Sequence, residues 1–427
     1  MKQTFIIILL LMIACLPSKA DTDIYKMKWA KVATSMNSEW YGSDQAKEVA
    51  ENVLLYQKDN GGWMKNIEMH QPLTESQKAA VRSEKSEHSC FDNGATTTEM
   101  TFLAKVYSHI KDERYKTAFN AGLDCILAAQ YASGGWPQYW PLRGGYSDFI
   151  TFNDDLHVNI LKLLRNVYQD KGDYADITDV ATAAKAKSAF DKGVQCILDC
   201  QINDNGTKSI WCAQHDGKTL LPTEGRPHEL PSFSGSESAK ILSFLMTLDN
   251  PSDAVKAAVK AAAEWFDAHA TLNKKVVDVT ENGKVVDRKI IDAPGSHLWG
   301  RFMQLAGETA KEAYSSLVVR HTEKRTVYDK DGNEHRYVAG ENFTAAYDAT
   351  KPYAYMYGIY DDNLQQLYYR PLYNYADTDP YYDKNGVLIA TSLTADTRKS
   401  YQYVGSWAED AVYKQYPQWK AKYTKAR

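Results

Sequence analysis

"RYKTAFNAGLDCILAAQYASGGWPQYW", residues Arg114–Trp140, joins two signals in one stretch. Tyr115, Ala118, Phe119, Leu123, Ile126 and Leu127 recur at three- and four-residue steps, the spacing of one face of an α-helix. Gln130 closes that run, and Gly134-Gly135-Trp136 follows it. The arrangement is repeated upstream, where Gln57 precedes Gly61-Gly62-Trp63, and downstream, where Gln201 precedes Trp211. The three tryptophans stand 73 and 75 residues apart.

Between them the text repeats as pairs of amphipathic helices. The spacing predicts helices over 96–110 and 114–130, over 153–168 and 181–201, and over 235–248 and 252–269. A period near 74 with two helices per unit implies pairs set around an axis, a mostly α fold of the irregular α/α toroid type. The long loops at one end then crowd together as a rim and make the site. Two explanations fit the Gly-Gly-Trp loops. The glycines let the chain leave a helix end and turn Trp63 and Trp136 toward the rim as faces for a sugar ring; or each loop is a helix cap with a packing tryptophan.

The last third reads differently. "KKVVDVTENGKVVDRKII", from residue 274, is a β-hairpin pattern with Asn-Gly at its turn, and "TVYDKDGNEHRYV" is another. "DKDGN" (329–333) opens like an EF-hand loop, but no glutamate closes it at the twelfth position. Residues 275–390 are therefore a loop- and β-rich elaboration of one domain spanning 21–427.

Bulk properties narrow the function. The chain has 427 residues, 44% hydrophobic and 24% charged. Lys2, the apolar run from Phe5 to Ala14 and Ser18-Lys19-Ala20 mark residues 1–20 as a secretory signal peptide, which implies a secreted or periplasmic protein. The rival is a lipoprotein cut ahead of Cys15. Losing Lys2 and Lys19 takes the formal charge from −4 to −6, a poor basis for binding nucleic acid. No other run suggests a membrane span, and a monomer is expected. Cys90, Cys125, Cys196, Cys200 and Cys212 remain, an odd number without metal spacing, and read as buried thiols.

Three loops carry the polar residues. "CFDNGATTTEM" sets Asp92 and Asn93 ahead of a helix, "YSDFITFNDDLH" sets Asn153, Asp154 and Asp155 ahead of the next, and "EGRPHELPSFSGSES" sets Arg226 and His228 ahead of the third. Helix capping accounts for one such residue per helix start. Paired acids and amides on two loops exceed that need, and their oxygens are hard ligands suited to calcium.

"DNGATTTEM", "GGWPQYWPLRGGYSDFITFNDD", "GRPHELPSFSGSES" and the C-terminal "YQYVGSW…YPQWK" resemble the pectate lyases of polysaccharide lyase family 10, from about Glu48 to Lys422. The resemblance implies an α/α toroid that cleaves polygalacturonate by calcium-dependent anti-β-elimination, giving 4,5-unsaturated oligogalacturonides. It implies Ca2+ at Asp92, Asn93 and Asp154, and Arg226 as the Brønsted base. The expected substrate-binding set is Trp63, Lys65, Trp136, Arg143, Asp155, His228, Arg301, Arg370 and Lys384. The family's carboxylate-binding arginine has two counterparts, Arg301 in "LWGRF" and Arg370 in "LYYRPLYN". Arg370 is preferred because Lys384 in "DKNG" lies fourteen residues on, where the family has a second arginine; residues from about 296 to 366 are then an insertion. Two other functions remain open on the residues alone: a toroidal glycosidase using Asp154 and Asp155 as its acid pair, and a non-catalytic sugar-binding surface protein.

Overall fold

The computed structural model describes residues 23–423, apart from 85, 227–228, 321–323, 329–333, 339–355, 362–365 and 372–403. The proposed signal peptide and Cys15 lie outside the described residues.

The helices form two rows. One contains α1 (Asp44–Tyr56), α3 (Glu113–Ala129), α5 (Val180–Cys200) and α7 (Asp253–Ala268), each touching the next. The other, more deeply buried, contains α2 (Thr97–Ile110), α4 (Leu156–Gln169) and α6 (Gly235–Leu245), also in succession. Connections run alternately between the rows, which is the α/α toroid the repeat implied. Each expected helix is found within a few residues of its expected span.

The repeat has a physical basis in two recurring devices. Trp63, Trp136, Trp211 and Trp299 are all 0% exposed. Their indole N–H groups donate to the carbonyls of Val53 (2.7 Å), Ile126 (2.9 Å), Ile197 (2.7 Å) and Phe266 (2.8 Å), each near the end of α1, α3, α5 or α7. Gln57, Gln130 and Gln201 then tie each unit to the next. Their side-chain amides donate to the loop carbonyls of Gly61, Gly134 and Ser209, and to Ala118, Ala189 and Ala258 on the neighbouring helix.

The Gly-Gly pair is needed for approach, not for display. Gly61 and Gly134 have φ of 91° and 90°, and a Cβ on either would sit 2.1 Å from a carbonyl oxygen of the next helix, Ala121 or Lys192. The rim-stacking expectation for Trp63 and Trp136 is therefore corrected: both indoles fill the core, because burying an indole whose N–H is satisfied gains more than leaving it in water. Trp63→Ala and Trp136→Ala should each cost about 3–5 kcal/mol in denaturant unfolding. A raised KM with unchanged stability would return the indoles to the rim.

The hairpin expected after residue 274 is present as β1 (Thr271–Glu281) and β2 (Lys284–Gly300), with Asn282 and Gly283 at positive φ in its turn. β2 also pairs with Val404–Gly405 and delivers Trp299 and Arg301 to the toroid. Strands Lys324–Tyr328 and Glu334–Val338 pair as the second expected hairpin; its "DKDGN" turn lies outside the described residues. The five cysteines are free and buried. Among the described residues no helix is long and apolar enough to cross a membrane.

One core group should make stability depend on pH. Glu99 in α2 is fully buried, accepts from the Trp29 indole at 2.6 Å and leaves Oε2 without a partner. Burial pushes its carboxyl up to about 7, against the Trp29 hydrogen bond, which works the other way. Because the folded chain holds this proton more tightly than the unfolded one, the group is harmless below about pH 4.5. It then takes away about 3 kcal/mol as pH rises to about 7. Glu99→Gln should recover most of that difference at pH 8 relative to pH 4.5 in urea unfolding, since the other titrating groups cancel between variant and parent. An unchanged pH slope would refute it.

Candidate active site

The starts of α2, α4 and α6 differ from those of the other row. Ser43, Asp112, Asp179 and Ser252 cap α1, α3, α5 and α7, each accepting a backbone N–H through its side chain. None of the residues Thr96, Asp155 and Ser234 at the corresponding points of α2, α4 and α6 makes a side-chain cap, and neither do the short turns Asp92–Gly94 and Asn153–Asp155 before them. Capping therefore does not account for the acids there.

Those two turns are copies of each other and are in contact. Asn93 (φ 54°, ψ 27°) and Asp154 (φ 52°, ψ 33°) occupy the same left-handed conformation, a costly one for residues with a side chain. Each turn follows a phenylalanine held by the next loop: Phe91 N donates to Gln138 O, and Phe152 N to Ala213 O, 2.9 and 2.8 Å. The outcome is that Asp92 and Asp154, from different units, face one another.

The electrostatics of the cluster are uneven. Asp92 is buried; Lys65 Nζ bonds its Oδ2, while its Oδ1 has no partner. Burial alone would lower the Lys65 pKa, but the Asp92 carboxylate outweighs it and holds the ammonium charged. Asp154 is open to solvent on one side and crowded on the other. That desolvation, then the nearby Asp92 charge, push its carboxyl up to about 6, although Arg301 opposes them. Asp154 Oδ2 accepts from Asn153 Nδ2 at 3.0 Å. Arg301 Nη2 donates to Glu237 Oε1 at 2.9 Å and to Asn153 Oδ1 at 3.3 Å, and Ser234 Oγ donates to the other oxygen of Glu237. Four successive units thus contribute to one cluster.

This cluster fits a hard cation in part. An unpartnered buried carboxylate oxygen, a second, exposed carboxyl on Asp154 and the exposed Asn93 amide are suitable donors. Among the described residues no group of three His, Cys, Asp or Glu side chains forms a ready cage. Calcium takes six to eight oxygens, so substrate and water would complete the shell.

Arg226 lies on a loop tied to the same edge. Thr223 N donates to Gln214 O at 3.0 Å, and strand Gln214–His215 pairs with Ile150–Thr151, which feeds the Asp154 turn. Arg226 is held by Glu229: its backbone N donates to Oε2 at 2.8 Å, and Nε (3.0 Å) and Nη2 donate to Oε1. Its side chain is 42% exposed, whereas that of Glu229 is 6% exposed.

The structure brings Asp92, Asn93, Asp154, Lys65 and Arg301 together. The preference for Arg370 over Arg301 falls on a side chain outside the described residues; strand Lys284–Gly300 returns Arg301 to the cluster. Arg370 lies in strand Gln366–Pro371, paired opposite Tyr357, and its side chain, like Lys384 and His228, is outside the described residues. Asp155 is half-buried at the start of α4. Glu237, Glu229 and Tyr139 were missed. Glu237 sits one turn inside a helix where no repeat position marked it, and its partner Arg301 is 64 residues away.

The pectic acid lyase family model matches residues 57–350. No curated protein sequence matches the chain. A family 10 polysaccharide lyase from Cellvibrio cellulosa is 25% identical with a TM-score of 0.58, covering 90% of this chain and 95% of that one. A single-residue mutant of a family 10 polysaccharide lyase from the same organism, in complex with trigalacturonic acid, is 24% identical with a TM-score of 0.59, covering 92% and 95%.

Proposed function

Since the chain belongs to the pectic acid lyase family and is a polysaccharide lyase acting on pectate, we propose that it is exported and cleaves polygalacturonate by calcium-dependent anti-β-elimination, leaving a 4,5-unsaturated uronide. The observation that carries the calcium part is the pair of uncapped turns: Asp92 and Asp154 spend nothing on helix ends, and one Asp92 oxygen has no partner. Oligogalacturonide is the ligand class, in keeping with the trigalacturonic acid held by the similar lyase mutant.

The proton removed sits on C5, beside a uronate carboxylate, and is too weak an acid for an unaided base. Asp92, Asn93 and Asp154 would hold calcium, which when bound neutralises that carboxylate and stabilises the charge developing in the transition state. Lys65 keeps Asp92 ionised and fixed in place. Arg301, anchored by Glu237, offsets the mutual repulsion of Asp92 and Asp154. Arg226, as the neutral guanidine formed when it gives a proton to solvent, accepts the C5 proton; the electron pair moves to form the C4–C5 double bond, the C4–oxygen bond breaks, and the departing oxygen takes a proton from water. The Glu229 clamp gives Arg226 one orientation. The binding-protein alternative loses its aromatic platforms, because Trp63 and Trp136 are buried. Activity should vanish in excess chelator and return with added calcium. Full turnover in chelator would contradict the calcium role.

A further inference from the structure

We propose that Tyr139 is a positioning residue that holds Arg143 as an arm for a substrate carboxylate beside the Asp92–Asp154 centre; this rests on the polyuronate reading above. Tyr139 lies in the two-residue strand Tyr139–Trp140, paired opposite Cys90, two residues before Asp92. Two cations address its ring. Lys65 Nζ, which also bonds Asp92, is 5.8 Å from the ring centre, and the Arg143 guanidinium carbon is 4.4 Å from it. Both lie within the range of a cation–π contact. The ring thus links the acid centre to a second positive group.

The loop carrying Arg143 has a fixed backbone and an uncommitted charge. Asp148 Oδ1 accepts from Arg143 N at 3.1 Å and Gly144 N at 3.0 Å, so the Asp148 carboxylate is used by the main chain. Among the described residues no carboxylate forms an ion pair with the Arg143 guanidinium. Residues 141–145 are exposed, Gly144 and Gly145 have positive φ with open space around them, and Leu142 beside the arginine is 43% exposed. The loop therefore presents a guanidinium fork and a small apolar surface together. A uronate offers the matching pair, a carboxylate and a C–H face. Stacking on Tyr139 removes rotamer freedom that Arg143 would otherwise lose on binding.

The test compares the parent with Tyr139→Leu, Tyr139→Phe, Arg143→Gln and the double variant Tyr139→Leu/Arg143→Gln. KM on oligogalacturonides and, without turnover, calorimetric Kd for trigalacturonate are the two readouts. Arg143→Gln should raise both about tenfold, as loss of a charge-assisted hydrogen bond does, with kcat held. Tyr139→Leu should raise them about two- to fivefold, the range of an exposed cation–π contact. Tyr139→Phe keeps the ring under Arg143 but loses the hydroxyl beside Lys65 and Cys90, so its values should lie nearer the parent than those of Tyr139→Leu. Because Tyr139 acts through Arg143, the double variant should be no worse than Arg143→Gln alone. Unchanged values in Tyr139→Leu, or effects that multiply in the double variant, would overturn the proposal while leaving lyase activity in place. The expected pattern in Kd from a chain that forms no unsaturated product would instead sink the lyase reading and leave the arm standing.

Discussion

Arg226→Ala should lower kcat about 10²–10⁴-fold, the usual cost of removing a general base, with KM little changed. A residue used only as the C5 proton leaves contributes to the transition state and not to ground-state binding. The fold should survive the change at some cost in stability, because the Arg226 side chain is 42% exposed but the Glu229 carboxylate it pairs with is only 6% exposed. Arg226→Lys should restore little. A single ammonium cannot reproduce the paired donation of Nε and Nη2 to Glu229 Oε1 that orients the guanidinium. Glu229→Gln then makes a sharper companion: it keeps Arg226 but weakens its hold, so kcat should fall by less than in Arg226→Ala. A well-folded Arg226→Ala variant retaining more than about a tenth of parental kcat, well short of the general-base range, would remove Arg226 from the role.

The second large effect concerns the two turns. Asp154→Asn and Asp92→Asn should each raise the calcium concentration for half-maximal activity by more than the roughly 10–100-fold that loss of an outer-shell partner costs. Both lose a negative charge while keeping the shape of the side chain. Calorimetric titration of calcium into protein with trigalacturonate reads the same loss without turnover. Thermal stability should fall little, because neither residue caps a helix. Either change ends the repulsion between the two carboxyls, but Asp92→Asn also loses the charge paired with Lys65, so the melting temperature of Asp154→Asn should hold at least as well as that of Asp92→Asn. Collapse of the melting temperature with calcium affinity intact would make the acids structural.

The toroid was legible because its cause is local. Apolar periodicity and the returning Gln and Trp mark each unit, and the structure shows why both return: Gln130 staples α3 to α5, and Trp136 locks its loop to the end of α3. What the tryptophans do was not legible. A Gly-Gly-Trp string looks the same whether the glycines free the indole for the rim or let two backbones approach to contact distance, and only the positions of Ala121 and Lys192 decide it. The acids at 92 and 154 could be picked out because two of them exceed what a cap needs. Glu237 and Glu229 could not, since each is defined by a partner, Arg301 or Arg226, whose side-chain direction periodicity does not encode. The choice between Arg301 and Arg370 rested on spacing to Lys384, whereas the strand pairing of Lys284–Gly300 with its neighbours decides where Arg301 goes.

The most direct test counts chain ends. Purified protein acting on polygalacturonate with calcium should form one ultraviolet-absorbing 4,5-unsaturated end for each new reducing end, and neither with chelator in excess. New reducing ends without the chromophore would make the chain a hydrolase and contradict the elimination.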